Sequence, residues 1–124
     1  MIRNILLIGL GGGFGSIARY LCQKWFMDHY PHAYPWGTFA VNFTGCFLIG
    51  LFWGIAFKSF AENESWKLFL MTGICGGFTT FSAFTLEGIG LVKEQRLGLF
   101  FIYIGGSVLL GLLATYAGMK ISRG

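Results

Sequence analysis

The stretch GGFTTFSAF, Gly76 to Phe84, sets two glycines ahead of three hydroxyl residues, Thr79, Thr80 and Ser82, and interleaves these with Phe81 and Phe84. Two kinds of ion chemistry are open to it. Glycine costs a helix about 1 kcal/mol relative to alanine, so Gly76 and Gly77 weaken any helix that runs through them. A helix broken there would free backbone carbonyls, which are good ligands for a hard cation such as Na⁺. Beyond the break, Phe81 and Phe84 are three residues apart and share a helix face. A phenyl ring has a negative face and a positive edge. Rings turned edge-on favour an anion, and hydroxyls on the same helix could donate hydrogen bonds to it.

Magnitudes limit the second idea. Stripping water from a small anion costs tens of kcal/mol in an apolar medium, whereas aromatic contacts contribute about 1 kcal/mol each. A cation ~10 Å away adds roughly 1.7 kcal/mol at an effective dielectric of about 20. An anion path therefore also needs water, hydroxyl and amide donors, or fixed positive charge. On these residues alone the plainer reading stays open, with Phe81 and Phe84 packed on lipid or on a neighbouring helix.

The elements that must carry this stretch follow from the charge map. Only 11% of the 124 residues are charged and the mean hydropathy is +0.66, whereas soluble domains have about 25% charged residues. Between Arg3 and Lys24 the only charge is Arg19; Pro35 to Phe57 and Leu97 to Met119 carry none; Lys67 to Lys93 encloses only Glu87. Each run supplies the ~20 apolar residues that cross a bilayer as a helix. The expected architecture is all-α, a single domain over residues 1–124 with four transmembrane helices at about 3–27, 35–58, 67–92 and 97–120. The third of these is expected to be broken mid-membrane at the glycines.

Other readings of the motifs are weaker. ILLIGLGGGFG fails the G-x-G-x-x-G pattern of a dinucleotide loop, because the last position falls on Phe14 or Ser16. Cys22, Cys46 and Cys75 are odd in number, lack C-x-x-C spacing and lie in apolar runs, which argues against a disulfide framework or a metal site. His29 and His32 fall beside aromatic residues in the first connection, an interfacial setting. The net charge of +4 sits at helix ends, where it meets lipid headgroups, so nucleic acid is not implied. No nucleophile–base pair points to an enzyme.

Polar residues within the spans face protein or water. They are Arg19 in the first; Thr38, Asn42 and Thr44 in the second; Thr72, Thr79, Thr80, Ser82, Thr85 and Glu87 in the third; and Tyr103, Ser107, Thr115 and Tyr116 in the fourth. Hydroxyls and amides dominate. Glu87, the one carboxylate, lies towards the end of its span, which suits passive passage of a small ion better than proton coupling. Asn42 and Ser107 could equally serve as interhelical hydrogen-bond glue.

The side holding the N-terminus, second connection and C-terminus carries Arg3, Lys58, Lys67, Lys120 and Arg123; the other carries Lys24, Lys93 and Arg96, with Arg19 near it. Cytoplasmic loops favour Lys and Arg, and this bias is weak. Orientation is therefore expected to be poorly fixed, with insertion both ways; a single orientation with the N-terminus inside stays open. Small residues spaced four apart, Gly9/Gly13, Gly11/Gly15, Gly50/Gly54, Gly73/Gly77, Ser107/Gly111 and Ala114/Gly118, permit close helix approach and suggest a compact helical oligomer.

Taken together, GGGFGSIARY in the first span, WGTFAVNFTGCFLIG in the second and GGFTTFSAF in the third resemble the Fluc (CrcB-type) fluoride channels in motif order, length and span number. The resemblance implies an antiparallel, dual-topology homodimer in a prokaryotic inner membrane, with fluoride pores along the subunit interfaces. It implies passive, electrogenic efflux of cytoplasmic fluoride. It places the two pore phenylalanines at Phe81 and Phe84, a pore asparagine at Asn42, polar path positions at Tyr103 and Ser107, and further hydroxyls at Thr80, Ser82 and Thr115. It also implies a structural Na⁺ at the dimer centre, held by the backbone carbonyls of Gly76 and Thr79. Arg19, Thr38 and Glu87 become vestibule or structural positions. Ala83 departs from the family's frequent hydroxyl at that place. The rival is a small multidrug-type proton-coupled exporter, also four-helical, but such proteins rely on a glutamate in the first helix, and none is present here. A membrane scaffold would explain the glycines but not the hydroxyls clustered at a break.

Overall fold

The computed structural model describes residues 1–31, 33–58 and 64–123; His32, assigned above to the interface, lies outside them. Among the described residues every regular element is helical, and four runs are long and apolar enough to cross a membrane. Helix α1 covers Ile2–His29 and α2 covers Trp36–Lys58. The third run, Glu64–Lys93, is composite. It comprises α3 (Glu64–Lys67), a π-helical segment (Leu68–Cys75), α4 (Gly76–Phe78) and α5 (Phe81–Lys93). Helix α6 covers Leu97–Arg123. This is the architecture of a multi-pass membrane protein.

Two helix pairs are drawn together by small residues. Gly11 and Gly15 of α1 are buried against the backbone of the third run. A Cβ added at Gly15 would lie 2.8 Å from the Phe78 nitrogen, and one at Gly73 would lie 3.0 Å from Gly11 Cα. Helices α2 and α6 meet the same way: a Cβ at Gly118 would lie 2.8 Å from the Leu51 nitrogen, and one at Gly50 would lie 3.0 Å from the Met119 nitrogen. The obstacle in each case is main chain, which cannot rotate away. Gly9 and Gly13, which share the same spacing, meet nothing within 4 Å. In lipid no solvophobic force pulls apolar helices together, so such backbone contact supplies the van der Waals attraction.

The ends are tied by polar contacts. Ser65 Oγ donates to Asn4 Oδ1 at 3.1 Å, joining the starts of α1 and α3. The Arg123 guanidinium lies 5.6 Å from the Trp53 ring centre, joining the ends of α6 and α2. Helix α5 closes in a Schellman arrangement. Gln95 takes the left-handed region (φ 61°), its N–H bonds Val92 O at 3.0 Å, and the Arg96 N–H bonds Leu91 O at 2.9 Å. Outward faces remain apolar; Leu10, Phe14, Leu109 and Leu112 are all exposed in the single chain. Lipid or another subunit must cover them.

The glycine geometry makes a selective prediction. Gly15→Ala and Gly118→Ala should each lower stability by about 1–3 kcal/mol through overpacking. Gly9→Ala and Gly13→Ala should be neutral or mildly stabilising. Detergent melting followed by size-exclusion retention reads the difference, and equal behaviour of the four variants would show that the close approach does not hold the bundle.

Candidate functional site

The helical path of the third run is interrupted at two residues. Thr79 (φ −92°, ψ 160°) and Thr80 (φ −150°, ψ 117°) are extended. In a continuous helix the Thr80 N–H would bond the carbonyl of Gly76, and the Ala83 N–H that of Thr79. Both donors are diverted. The Thr80 N–H goes to Asn42 Oδ1 on α2 at 2.7 Å, and Asn42 Nδ2 returns a bond to Thr80 O at 3.0 Å. The Ala83 N–H goes to Thr80 Oγ1 at 3.1 Å, so Thr80 is the N-cap of α5. On the other flank, Arg19 Nε on α1 donates to Gly77 O at 3.0 Å. Thr79 sends both its N–H and its hydroxyl to Cys75 O, at 3.1 and 2.9 Å.

The interruption opens onto a cavity of about 360 Å³. Asn42, Gly76, Thr79, Thr80, Phe81, Phe84 and Ser107 all line it, and Cys46, Cys75 and Met71 complete its apolar wall. The two rings differ in setting. Phe84 is 8% exposed and packs on Tyr103, ring centres 5.0 Å apart; Phe81 is 76% exposed and lies 5.9 Å from Phe84. Ser107 Oγ is buried, with no hydrogen-bond partner among the described residues. Asn42 gives one amide hydrogen to Thr80 and keeps a second.

A second cavity, about 460 Å³, opens between the first connection, α1, α2 and α5. Gln23, Tyr34, Thr38, Glu87 and Glu94 are among its lining. Tyr103 bridges the two regions. It is fully buried, touching Phe84 of the first and stacking at right angles on Tyr34 of the second, 5.4 Å away. The Tyr103 phenol oxygen and Glu87 Oε1 are buried without a hydrogen-bond partner among the described residues. Burial raises the Tyr34 phenol above its ordinary range.

The remaining named positions sort differently. Thr115 donates its hydroxyl to Cys46 O at 3.0 Å, within the α2–α6 contact. Ser82 is exposed, its hydroxyl 3.3 Å from that of Thr80. Sequence reasoning passed over Gln23. Its signal was available, since it follows Arg19 by four residues and so shares its helix face.

The fold and this polar interruption define a small, all-helical, multi-pass membrane protein, with buried polar groups inside its spans that have no partner among the described residues. The sequence profile described as "CrcB-like protein, Camphor Resistance (CrcB)" matches residues 6–119. A protein of Flavobacterium psychrophilum named "Fluoride-specific ion channel FluC" is 44% identical over 122 residues, covering 98% of each chain. A protein of the same name from Phocaeicola vulgatus is 45% identical over 122 residues, 98% of this chain and 100% of the relative. A third, from Rhizobium meliloti, is 41% identical over 98% of each chain. The chain belongs to the CrcB-like family.

The Asn42 clamp yields a prediction. Asn42→Ala strands both polar groups of Thr80, and each unsatisfied buried group costs about 1–3 kcal/mol. The variant should melt well below the wild type, and Asn42→Asp, which keeps the acceptor, should fall between them. A wild-type melting temperature for Asn42→Ala would rule out the clamp.

Proposed function

We propose that this chain is a fluoride-selective channel that lets cytoplasmic fluoride leave passively and electrogenically, reducing its toxicity. The observation that carries the reading is the first cavity. It gathers Asn42, Thr80, Phe81, Phe84 and Ser107 at a helix interruption, in a chain whose near full-length relatives bear the name "Fluoride-specific ion channel FluC".

Fluoride is small and a strong hydrogen-bond acceptor. Its dehydration costs tens of kcal/mol, so donors must replace its water. The free hydroxyl of Ser107, the phenol of Tyr103 and the second amide hydrogen of Asn42 are such donors. Phe81 and Phe84 narrow the path and offer ring edges. Arg19, tied to Gly77 O, adds fixed positive charge beside the interruption. Thr80, Ser82 and Thr115 are hydroxyls of the surrounding path, and Thr38 and Glu87 belong to its vestibule.

The working unit in this reading is an antiparallel, dual-topology homodimer in a prokaryotic inner membrane. Two features support it. The weak Lys/Arg bias leaves orientation open, and Phe81, 76% exposed, lines a cavity that a single chain leaves open to lipid. A second copy would close that cavity and convert a groove into a pore.

Na⁺ fits the interruption. Gly76 and Thr79 have lost their helical donors to Asn42 and to Thr80 Oγ1, and both residues line the cavity. Two carbonyls from each subunit would supply a hard, neutral oxygen set of the kind Na⁺ takes. Bound there, Na⁺ would hold the two interruptions together.

Liposomes loaded with fluoride, with valinomycin and a potassium gradient setting the voltage, test the function. Fast fluoride efflux that needs the ionophore, with negligible chloride efflux, is expected; silence from folded protein would sink the reading. Phe81→Ile and Phe84→Ile should each cut flux about tenfold, the equivalent of 1.36 kcal/mol on the barrier. Phe84→Ile should also cost more stability, being buried. Unchanged flux in both would remove the rings from the path. Exchange into Na⁺-free buffer should weaken the dimer on size exclusion, and Na⁺ should restore it.

A further inference from the structure

Gln23 lies on the face of α1 that meets α2, where the chains approach closely; a Cβ at Gly37 would stand 3.1 Å from Gln23 Cα. From there Gln23 Nε2 donates to Thr38 Oγ1 at 3.0 Å. Thr38 is 2% exposed. Its hydroxyl lies beside the Glu87 carboxyl and the Tyr103 phenol, yet Glu87 Oε1 and the Tyr103 oxygen have no hydrogen-bond partner among the described residues.

The direction of the first bond decides the rest. An amide N–H only donates, so Thr38 Oγ1 is the acceptor and its own hydrogen is left to point elsewhere. What surrounds that hydrogen is acceptor-rich: Glu87 and Glu94 of α5 line the cavity, with the phenols of Tyr30 and Tyr34, and Tyr103 of α6 stands behind. Two carboxyl groups make this an unwelcoming place for an anion. Whether one can dwell there turns on the donors held towards it.

Resting on the channel reading above, we propose that Gln23 is a positioning residue for anion entry. It fixes Thr38 as a hydrogen-bond donor facing the second cavity, so that the hydroxyl is presented to fluoride rather than turned back towards α1. Gln23 touches no anion itself in this arrangement; it acts through Thr38. Without Gln23 the hydroxyl is free to rotate, and its donor is lost to the cavity for part of the time.

A double-mutant cycle in planar bilayers tests this, using wild type, Gln23→Leu, Thr38→Val and the double variant, with fluoride current recorded across a fluoride concentration series. Gln23→Leu should raise the half-saturating fluoride concentration about fivefold, the equivalent of one ordinary hydrogen bond. Thr38→Val should do at least as much, and the double variant should be no worse than Thr38→Val, because the first residue acts through the second. A residue that only packs α1 on α2 would lower the melting temperature without shifting the half-saturating concentration. A wild-type concentration dependence in Gln23→Leu, or losses that multiply in the double variant, would overturn the inference while leaving the channel intact. A silent wild type would instead overturn the channel reading, and the inference with it. Should Gln23→Leu not assemble, Gln23→Met, which keeps an unbranched chain, takes its place in the cycle.

Discussion

Hydrocarbon offers no water to a main-chain N–H or C=O, so a span that leaves the helix must find partners for every group it exposes. The extended step at Thr79 and Thr80 puts that demand on this chain, and much of the remaining structure answers it. Asn42 reaches from α2 to take both polar groups of Thr80. Arg19 reaches from α1 to the Gly77 carbonyl. Thr80 turns its own hydroxyl to cap α5. Two other helices thus reach in to the step, α2 at Thr80 and α1 at Gly77. The Gly76 and Thr79 carbonyls, which lose their helical donors in the process, are what gives the interruption its capacity to hold something else.

That convergence needs short interhelical distances. Arg19 approaches Gly77 only because α1 lies almost backbone to backbone on the third run. Gly11 and Gly15 make this possible on one side, and Gly73 and Gly77 on the other. Gly76 and Gly77, where the sequence predicts the break, are helical, and the interruption falls beyond them on Thr79 and Thr80; nor are the two glycines alike. Gly77 is in contact with Gly12 and is needed for packing as much as for flexibility, whereas a side chain at Gly76 would meet nothing nearer than 3.9 Å. On α1 the same periodicity places Gly9 and Gly13 on an open face. One spacing signal in the sequence therefore covers two different environments.

The four spans could be read from the sequence because charge, Arg19 and Glu87 apart, is confined to their ends, a pattern that lipid imposes residue by residue. Candidate polar groups were legible for the same reason: a threonine or asparagine within an uncharged run stands out. Their partners were not, because side-chain reach depends on which helices neighbour each other. Nothing local to Asn42 says that it meets the main chain 38 residues away. Gln23 was missed for the opposite reason. It precedes Lys24 near the end of its span, where polar residues need no special explanation, and only its contact with Thr38 on α2 sets it apart. The π-helical turn over Leu68–Cys75 has no composition signal either, since it differs from an α-helix only in which carbonyl each N–H chooses.

Once partners are known, the hydroxyls no longer form a uniform track. Thr79, Thr85 and Thr115 already donate to carbonyl oxygens, of Cys75, Ser82 and Cys46. Each would have to break a bond to offer its hydrogen to an anion, at a cost comparable to what the new bond returns. Ser107 and Tyr103 have no such bond to break among the described residues. Both lie on α6, one helical turn apart, and so on one face of that helix. Around the first cavity, the ability to replace an anion's water is therefore concentrated on α6 and on the spare amide hydrogen of Asn42 opposite it. The threonines of the third run shape the interruption between them and leave it open.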